Sequence, residues 1–317
     1  MSATPTVQTA LQHARQQGLE RLDAQVLLLH LLGRFPHDRA WLLAHDTDPL
    51  PADTTAAFAA LCQRRLNGEP VAYLTGQREF YGLPLHVDAR VLDPRPDTET
   101  LVDWALDVLA DHARSTVLDL GTGSGAIALA LQQQRPDAHV WAVDASTDAL
   151  SVAHANAQRL HLPVRFLHGH WLERWQTFPA ATNTTGQPAP QSTNTPIPTP
   201  HAAPPPRFDL IVSNPPYICN NDPHLAALTH EPLQALTSGA DGLDDIRTIV
   251  AQVPAHLLPG GWLLLEHGWD QADAVAALLQ AHGYGPAQHR HDLARHVRCT
   301  GAQWPGAAPA PRAPPQG

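Results

Sequence analysis

Val117-Leu118-Asp119-Leu120-Gly121-Thr122-Gly123-Ser124-Gly125 is an apolar strand that runs into a glycine loop, and Ala126-Ile127-Ala128-Leu129 opens a helix directly behind it. Glycines let a backbone approach a ligand closely, and the first N–H groups of a helix have no partner of their own. Gly121, Gly123 and Ala126 also fit the dinucleotide pattern G-x-G-x-x-G/A. A nicotinamide enzyme is therefore one reading of this stretch, and a strand-to-helix turn with no ligand is the plain one.

The surroundings repeat the same unit. Residues 116–120, 139–143, 164–167, 208–213 and 262–266 are short apolar runs of strand type. Helical periodicity occupies 126–134, 147–160, 244–257 and 272–282 between and after them. Strands alternating with helices predict βαβ units in a doubly wound, mostly parallel α/β sheet. Before this domain, residues 1–68 read as short helices, with Leu22, Val26, Leu29 and Gly33 on one face. Residues 69–94 read as a hairpin connector rich in Gly and Pro, starting at Val71. Residues 95–301 form the α/β domain, with Asp97 or Thr98 capping its first helix. Residues 179–206 mix Pro, Thr, Ala, Asn and Gln with almost no apolar anchors, so a disordered insertion is expected there. Residues 302–317 read as an Ala/Pro-rich tail.

Composition narrows the function. The 317 residues carry a net charge of -10, and all 20 basic residues are Arg. That balance opposes broad binding to phosphate backbones, so no direct nucleic-acid binding is expected. The three cysteines, Cys62, Cys219 and Cys299, form no CxxC pair and suggest neither disulfides nor zinc. No signal-like or membrane-length apolar run is present, so a cytoplasmic protein with no membrane partner is expected.

Asp144 ends the second strand about twenty residues past the glycines, where an acid can accept from both ribose hydroxyls of an adenosine. It or Ser146 could equally cap the next helix. The residues that discriminate are Asn214-Pro215-Pro216-Tyr217, directly after the apolar run 208–213. Consecutive prolines fix φ and withhold N–H donors, leaving carbonyls as acceptors. Asn214 adds a side-chain carbonyl, and Tyr217 adds a flat face. Acceptors converging beside an aromatic ring suit a planar NH2 group, for which a nicotinamide dehydrogenase has no use.

The chain here resembles class I, S-adenosylmethionine-dependent amino-methyltransferases, whose nucleotide loop and NPPY motif look like Asp119–Gly125 and Asn214–Tyr217. It is most similar to the peptide chain release factor glutamine methyltransferases. Glu69-Pro70-Val71-Ala72-Tyr73-Leu74-Thr75-Gly76, Arg78-Glu79-Phe80-Tyr81-Gly82, Pro94-Arg95-Pro96-Asp97-Thr98-Glu99 and Leu263-Leu264-Leu265-Glu266-His267-Gly268 all read like that family. The resemblance implies a seven-stranded Rossmann-like domain behind a helical substrate-recognition domain. It implies S-adenosyl-L-methionine as methyl donor and the GGQ glutamine of peptide chain release factors as acceptor, methylated on N5. It implies that Gly121, Thr122, Gly123, Ser124 and Gly125 hold the methionine end, that Asp144 holds the ribose, and that Trp171 lines the adenine; a core Trp is the plain alternative. Asn214 would touch both cofactor and substrate, with Pro215, Pro216 and Tyr217 gripping the glutamine and Asn214, Pro215 and Tyr217 carrying the chemistry.

Three features depart from the family pattern: His170 in place of the usual acid before Trp171, the 179–206 insertion, and a shorter segment at 224–231. An adenine N6 methyltransferase acting on DNA or RNA is the alternative function, since it would flip a base into the same tetrad. A non-catalytic nucleotide-binding assembly protein is a weaker one. His289, His291 and His296 lack metal-ligand spacing and read as a solvated loop, so no metal is expected. Cys219 reads as a small packed residue, and Arg95 as either a cleft residue or a surface Arg leading a helix.

Overall fold

The computed structural model describes residues 4–173 and 207–306. The 179–206 insertion and the tail beyond residue 306 lie outside the described residues.

The N-terminal unit is a small helical bundle of α1 (Val7–Gln16), α2 (Arg21–Leu31), α3 (Arg39–Ala44), α4 (Ala52–Leu66) and α5 (Val71–Thr75). Thr6 starts α1 with a reciprocal cap: its hydroxyl takes the Thr9 N–H, and the Thr9 hydroxyl takes its own. α2 runs through the middle, in contact with α1, α3, α4 and α5. This corrects the expected apolar face. Leu22 is half exposed, while Ala24, Leu27, Leu28 and Leu29 are buried, because a central helix is covered on more than one side.

The hairpin is shorter than expected. It comprises β1 (Gln77–Phe80) and β2 (Leu83–His86), and residues 71–75 ahead of it are the helix α5. It is clamped at both ends. Glu99 accepts the Tyr81 N–H at 2.9 Å. Buried Asn156 pairs with both backbone groups of His86, at 2.7 and 2.9 Å.

The α/β domain follows as α6 (Glu99–Leu109), β3 (Thr116–Leu120), α7 (Ala126–Gln134), β4 (His139–Asp144), α8 (Thr147–Leu160), β5 (Arg165–His168), β6 (Phe208–Ser213), α9 (Asp244–Gln252), β7 (Leu257–Glu266), α10 (Ala272–Ala281), β8 (Gln288–His291) and β9 (Val297–Gln303). The sheet order is β5-β4-β3-β6-β7-β9-β8. The first five strands are parallel, and β9 is antiparallel to both its neighbours. This is the expected seven-stranded, mostly parallel sheet. Side chains alternate between two cores: Val117, Ala142, Val212 and Leu264 join α6, α7 and α8, while Leu118, Val143, Ile211 and Leu265 join α9 and α10. Strands apolar on both faces are what a covered parallel sheet requires, at about 2 kcal/mol for each fully buried aliphatic side chain.

The C-terminal pair corrects two expectations. His289 and His291 lie in β8 and only His296 in the turn, so the solvated-loop reading fails for the first two. β8 is the polar, half-exposed edge Gln-His-Arg-His, which carries no apolar alternation to announce a strand. β9 continues through Ala302 and Gln303, so the sheet extends two residues into the expected tail. The helix α9 is also shorter than expected: a single turn at Val253–Ala255 containing Pro254 follows it, and β7 starts at Leu257.

Candidate active site

Strand register assembles the site. Leu120 pairs with Val143 and with Ser213, and Ser213 pairs with Leu265. The next residue on each strand therefore stands on one edge of the sheet: Gly121, Asp144, Asn214 and Glu266. This is the carboxyl edge of the parallel strands, at the point where the chain winds left to β4 and right to β6.

A cleft of about 430 Å³ opens there, lined by Gly121, Gly123, Asp144, Trp171, Asn214 and Pro216 among others. A smaller cavity of about 130 Å³ adjoins it, lined by Arg95, Pro215, Tyr217, Leu228 and Leu236. Leu92, Asn214 and Ala235 line both. Asn214 thus stands in the wall between a large hollow and a small one.

On the large side, Gly121 has φ +72, and a side chain there would press on the Trp171 ring at 3.2 Å. Trp171 itself holds a left-handed backbone, φ 46, a strained state for a bulky residue. Its ring is 7 % exposed, and its Nε1 donates to Asp245 at 3.1 Å. It packs in the core and also faces the cleft. His170 lines the cleft beside it. The two oxygens of Asp144 accept the N–H groups of Gly123 and Ser146, each at 2.8 Å. A carboxylate has about four lone-pair positions, so two remain. The cap of α8 is Ser146, whose hydroxyl accepts from Ala149.

The remaining loop residues sit differently. Thr122 and Ser124 are buried, and neither they nor Gly125 line the cleft. The Thr122 hydroxyl donates to Asp119 at 2.7 Å, and Asp119 also accepts from Ala128 N–H at 3.2 Å. Asp119 is fully buried, and burial pushes its carboxyl up to about 7. Its Oδ1 has no hydrogen-bond partner among the described residues.

The loop's N–H groups are largely spent. Those of Gly121 and Thr122 go to Val143, that of Gly123 to Asp144, and that of Gly125 to Thr122. With Asp144 and Asp245 facing the cleft, and Arg90 already bound to Asp88 through two nitrogens, the hollow suits a cationic ligand better than a pyrophosphate.

The small cavity is built on buried charge. Arg95 reaches it, as one of its two sequence readings had it, and donates to Glu231 at 2.5 Å. Glu231 also accepts from Asp93 N–H at 3.3 Å, so the short segment at 224–231 closes this pocket from inside the chain. Tyr217 directs its hydroxyl to Glu266 at 3.4 Å, and its carbonyl accepts from Gln271 at 3.0 Å. Asn214 Nδ2 donates to Thr98 Oγ1 at 3.2 Å. Thr98 stands at the N-cap position of α6, as one of the two expected residues, behind a single turn at Pro96–Thr98, but neither it nor Asp97 makes a side-chain cap there. Glu266 is 1 % exposed and burial pushes its carboxyl up to about 7, against the pull of Thr98, Arg298 and Tyr217.

Thr98 and Glu266 stood in the sequence within recognisable blocks, Thr98 read only as a helix cap and Glu266 with no role of its own. Asp245 and Gln271 had no local signal. Gly242 follows Asp241 in a turn; with φ +76 it sits against the Tyr217 carbonyl, where any side chain would collide.

Two family models match the chain: the PrmC N-terminal domain over residues 7–76 and the Methyltransferase small domain over residues 98–182. A release factor glutamine methyltransferase from Burkholderia pseudomallei is 44% identical over 312 residues, covering 95% of this chain and 98% of that protein. One from Bordetella pertussis is 48% identical over 286 residues, covering 90% and 95%. The chain belongs to the release factor glutamine methyltransferase family. The N-terminal match ends at Gly76, the C-cap of α5, and the methyltransferase match begins at Thr98. The hairpin at 77–86 lies in the interval between them.

Proposed function

We propose that this chain transfers a methyl group from S-adenosyl-L-methionine to the N5 side-chain amide nitrogen of a glutamine, the one in the GGQ motif of peptide chain release factors. The observation that carries this reading is the position of Asn214 in the wall shared by the two cavities. One residue there touches a cofactor-sized hollow on one side and a side-chain-sized pocket on the other.

The residues present fit the cofactor. Asp144 keeps free lone pairs for two ribose hydroxyls, Trp171 offers an indole face, and the carboxylates around the glycine loop favour a cation. When bound, the cofactor supplies an activated methyl group on a sulfonium, so the protein's work is mainly to position the acceptor in line.

An amide nitrogen is a poor nucleophile because its lone pair is delocalised into the carbonyl. Asn214 Oδ1 and the Pro215 carbonyl accept its two hydrogens. As the nitrogen becomes positive those acceptors hold it more strongly, which stabilises the transition state rather than substrate and transition state alike. The tetrad contains no imidazole or carboxylate, and the Tyr217 hydroxyl points back to Glu266. The proton therefore leaves to water after transfer. The acidic balance of the chain and the family it belongs to support a protein acceptor in the cytoplasm over a nucleic acid. Among the described residues no helix is long and apolar enough to cross a membrane.

The test is direct. Purified chain is incubated with methyl-labelled S-adenosylmethionine and, separately, release factor, duplex DNA and rRNA. Mass spectrometry should find one methyl on the GGQ glutamine. Label entering adenine instead, or no label in release factor from a chain that binds the cofactor, overturns the reading.

A further inference from the structure

The Tyr217 carbonyl ends the tetrad, and one side chain holds it. Gln271 Nε2 donates to the Tyr217 carbonyl at 3.0 Å and to the Asp241 carbonyl at 3.3 Å, while Gln271 Oε1 accepts the Gly268 N–H at 2.8 Å. Backbone groups fix which end of this amide is which, because an N–H only donates and a carbonyl only accepts. Gln271 is 9 % exposed and stands at the N-cap position of α10, yet makes no side-chain cap there. Its own backbone is held on both sides: its N–H goes to the Gly268 carbonyl and its carbonyl takes the Val275 N–H, each at 3.0 Å. Two glycines make room for the side chain. A Cβ at Gly242 would come within 2.7 Å of its Nε2, and one at Gly268 within 3.1 Å of its Oε1. One amide thus ties together the tetrad, the loop ahead of α9 and the turn after β7.

The tetrad is built to transmit that hold. Pro215 and Pro216 have fixed φ and no N–H, so this stretch bends little and only its carbonyls can tie it down. At its front it grows out of β6, where Ser213 pairs with Leu265 and gives its hydroxyl to the Leu120 carbonyl at 2.7 Å. Behind it, the Ile218 N–H goes to the Leu236 carbonyl at 2.9 Å. A tilt of the peptide between Tyr217 and Ile218 would pass through two stiff residues to the Pro215 carbonyl and Asn214. We propose that Gln271 is a positioning residue: by holding the Tyr217 carbonyl it sets the angle at which Asn214 Oδ1 and the Pro215 carbonyl meet an amide in the small pocket. The reaction it serves rests on the glutamine reading, whereas the tether itself involves no substrate. Misplacing reacting groups by about 1 Å costs on the order of a hundredfold in rate.

The experiment uses the full chain and two variants. Gln271→Met keeps the length and removes both polar ends. Gln271→Glu keeps an oxygen for the Gly268 N–H and replaces the NH2 by a group that donates only when protonated. Burial and two facing carbonyls raise that carboxyl, so the variant regains its donor as pH falls. Tyr217-Ile218 is the only Tyr-Ile pair in the sequence, so a chain labelled with 13C-carbonyl Tyr and 15N Ile gives one carbonyl signal for Tyr217. In Gln271→Met this signal moves upfield as the hydrogen bond is lost. In Gln271→Glu it moves upfield at about pH 9 and returns toward the wild-type position at about pH 6. In turnover, Gln271→Met lowers kcat by about tenfold to a hundredfold, with the cofactor dissociation constant within about threefold of wild type. The ratio of kcat in Gln271→Glu to that in wild type rises by about fivefold or more from about pH 9 to about pH 6. Taking the ratio cancels Asp241, His267 and Asp270, which both chains share.

A kcat for Gln271→Met within about threefold of wild type overturns the proposal. So does a Gln271→Glu ratio that stays flat with pH, or a Tyr217 signal that neither variant moves. Cofactor binding that falls in step with turnover would make Gln271 merely structural, with the same consequence. Should Gln271→Met not fold, the Gln271→Glu profile decides alone, since it compares one folded chain with itself. If the Tyr217 signal behaves as stated but wild type leaves release factor unmethylated, the glutamine reading falls and the tether stands.

Discussion

The two sides of Asn214 are built by different means. The large cleft, proposed above for the cofactor, is framed by backbone: a glycine loop, the end of β4, and a carboxylate that ties them together through Gly123 and Ser146. The small cavity, proposed above for the acceptor, is framed by side chains from distant segments: Thr98, Asn214 with Tyr217, Glu231, Glu266 and Gln271. A backbone site tolerates most side-chain changes outside its glycines. A side-chain network concentrates its function in single groups, and it holds together only while each donor has its acceptor.

The sharpest break in that comparison is Asn214→Ala. It removes the acceptor on which the acceptor side depends while leaving the cleft of Asp144 and Trp171 intact. Turnover should fall by about 100- to 1,000-fold, on the order of 3–4 kcal/mol of barrier, with the calorimetric affinity for the cofactor within about threefold of wild type. Near-normal kcat would mean that the amide is held by other groups.

Gly242→Ala comes next in size and tests the acceptor side through backbone alone. Its φ of +76 suits glycine, and an added methyl would collide with the Tyr217 carbonyl. Displacing Tyr217 should lower kcat by about 10- to 30-fold and cost about 1–2 kcal/mol of stability, again sparing cofactor affinity. Equal loss of both activities would show the two sides to be one cooperative unit. On the other side, Asp144→Ala should weaken cofactor binding by about tenfold and leave kcat at saturation within about threefold. A kcat loss at saturation larger than the binding loss would reverse the assignment.

The same contrast explains what could be read from sequence. Strands 116–120 and 208–213 and helix 147–160 were legible to the residue, because parallel strands covered on both faces are continuously apolar and Ser146 marks the helix start. The glycine loop and the tetrad were legible because each is a local pattern. β8 was not, since an edge strand needs no apolar face and Gln-His-Arg-His has none. The face of α2 was misjudged because burial on several sides erases amphipathic contrast. The role of Thr98 was hidden for a different reason. Its hydroxyl has local capping as its default use, and only the fold brings Asn214, 116 residues away, to claim it.

Glu266 gives the smallest effect and separates function from stability on the acceptor side. Burial holds its carboxyl up at about 7, above the ordinary 4.5, with Asp97 pushing the same way and Arg298, Thr98 and Tyr217 opposing. Between about pH 4.5 and 7 the unfolded chain gives up this proton while the folded chain keeps it. Stability from this group is therefore full below about pH 4.5 and is lost as pH rises toward 7. Glu266→Gln carries no proton to lose but keeps an oxygen for the Tyr217 hydroxyl. The melting temperature of Glu266→Gln minus that of wild type should therefore rise between pH 4.5 and 7.5 by the equivalent of about 1 kcal/mol, a few degrees for a domain of this size. Taking the difference cancels the remaining carboxylates, including Asp119, which is raised in the same way. A flat difference would mean that Arg298 neutralises Glu266 fully, and the buried carboxylate would then cost the fold nothing.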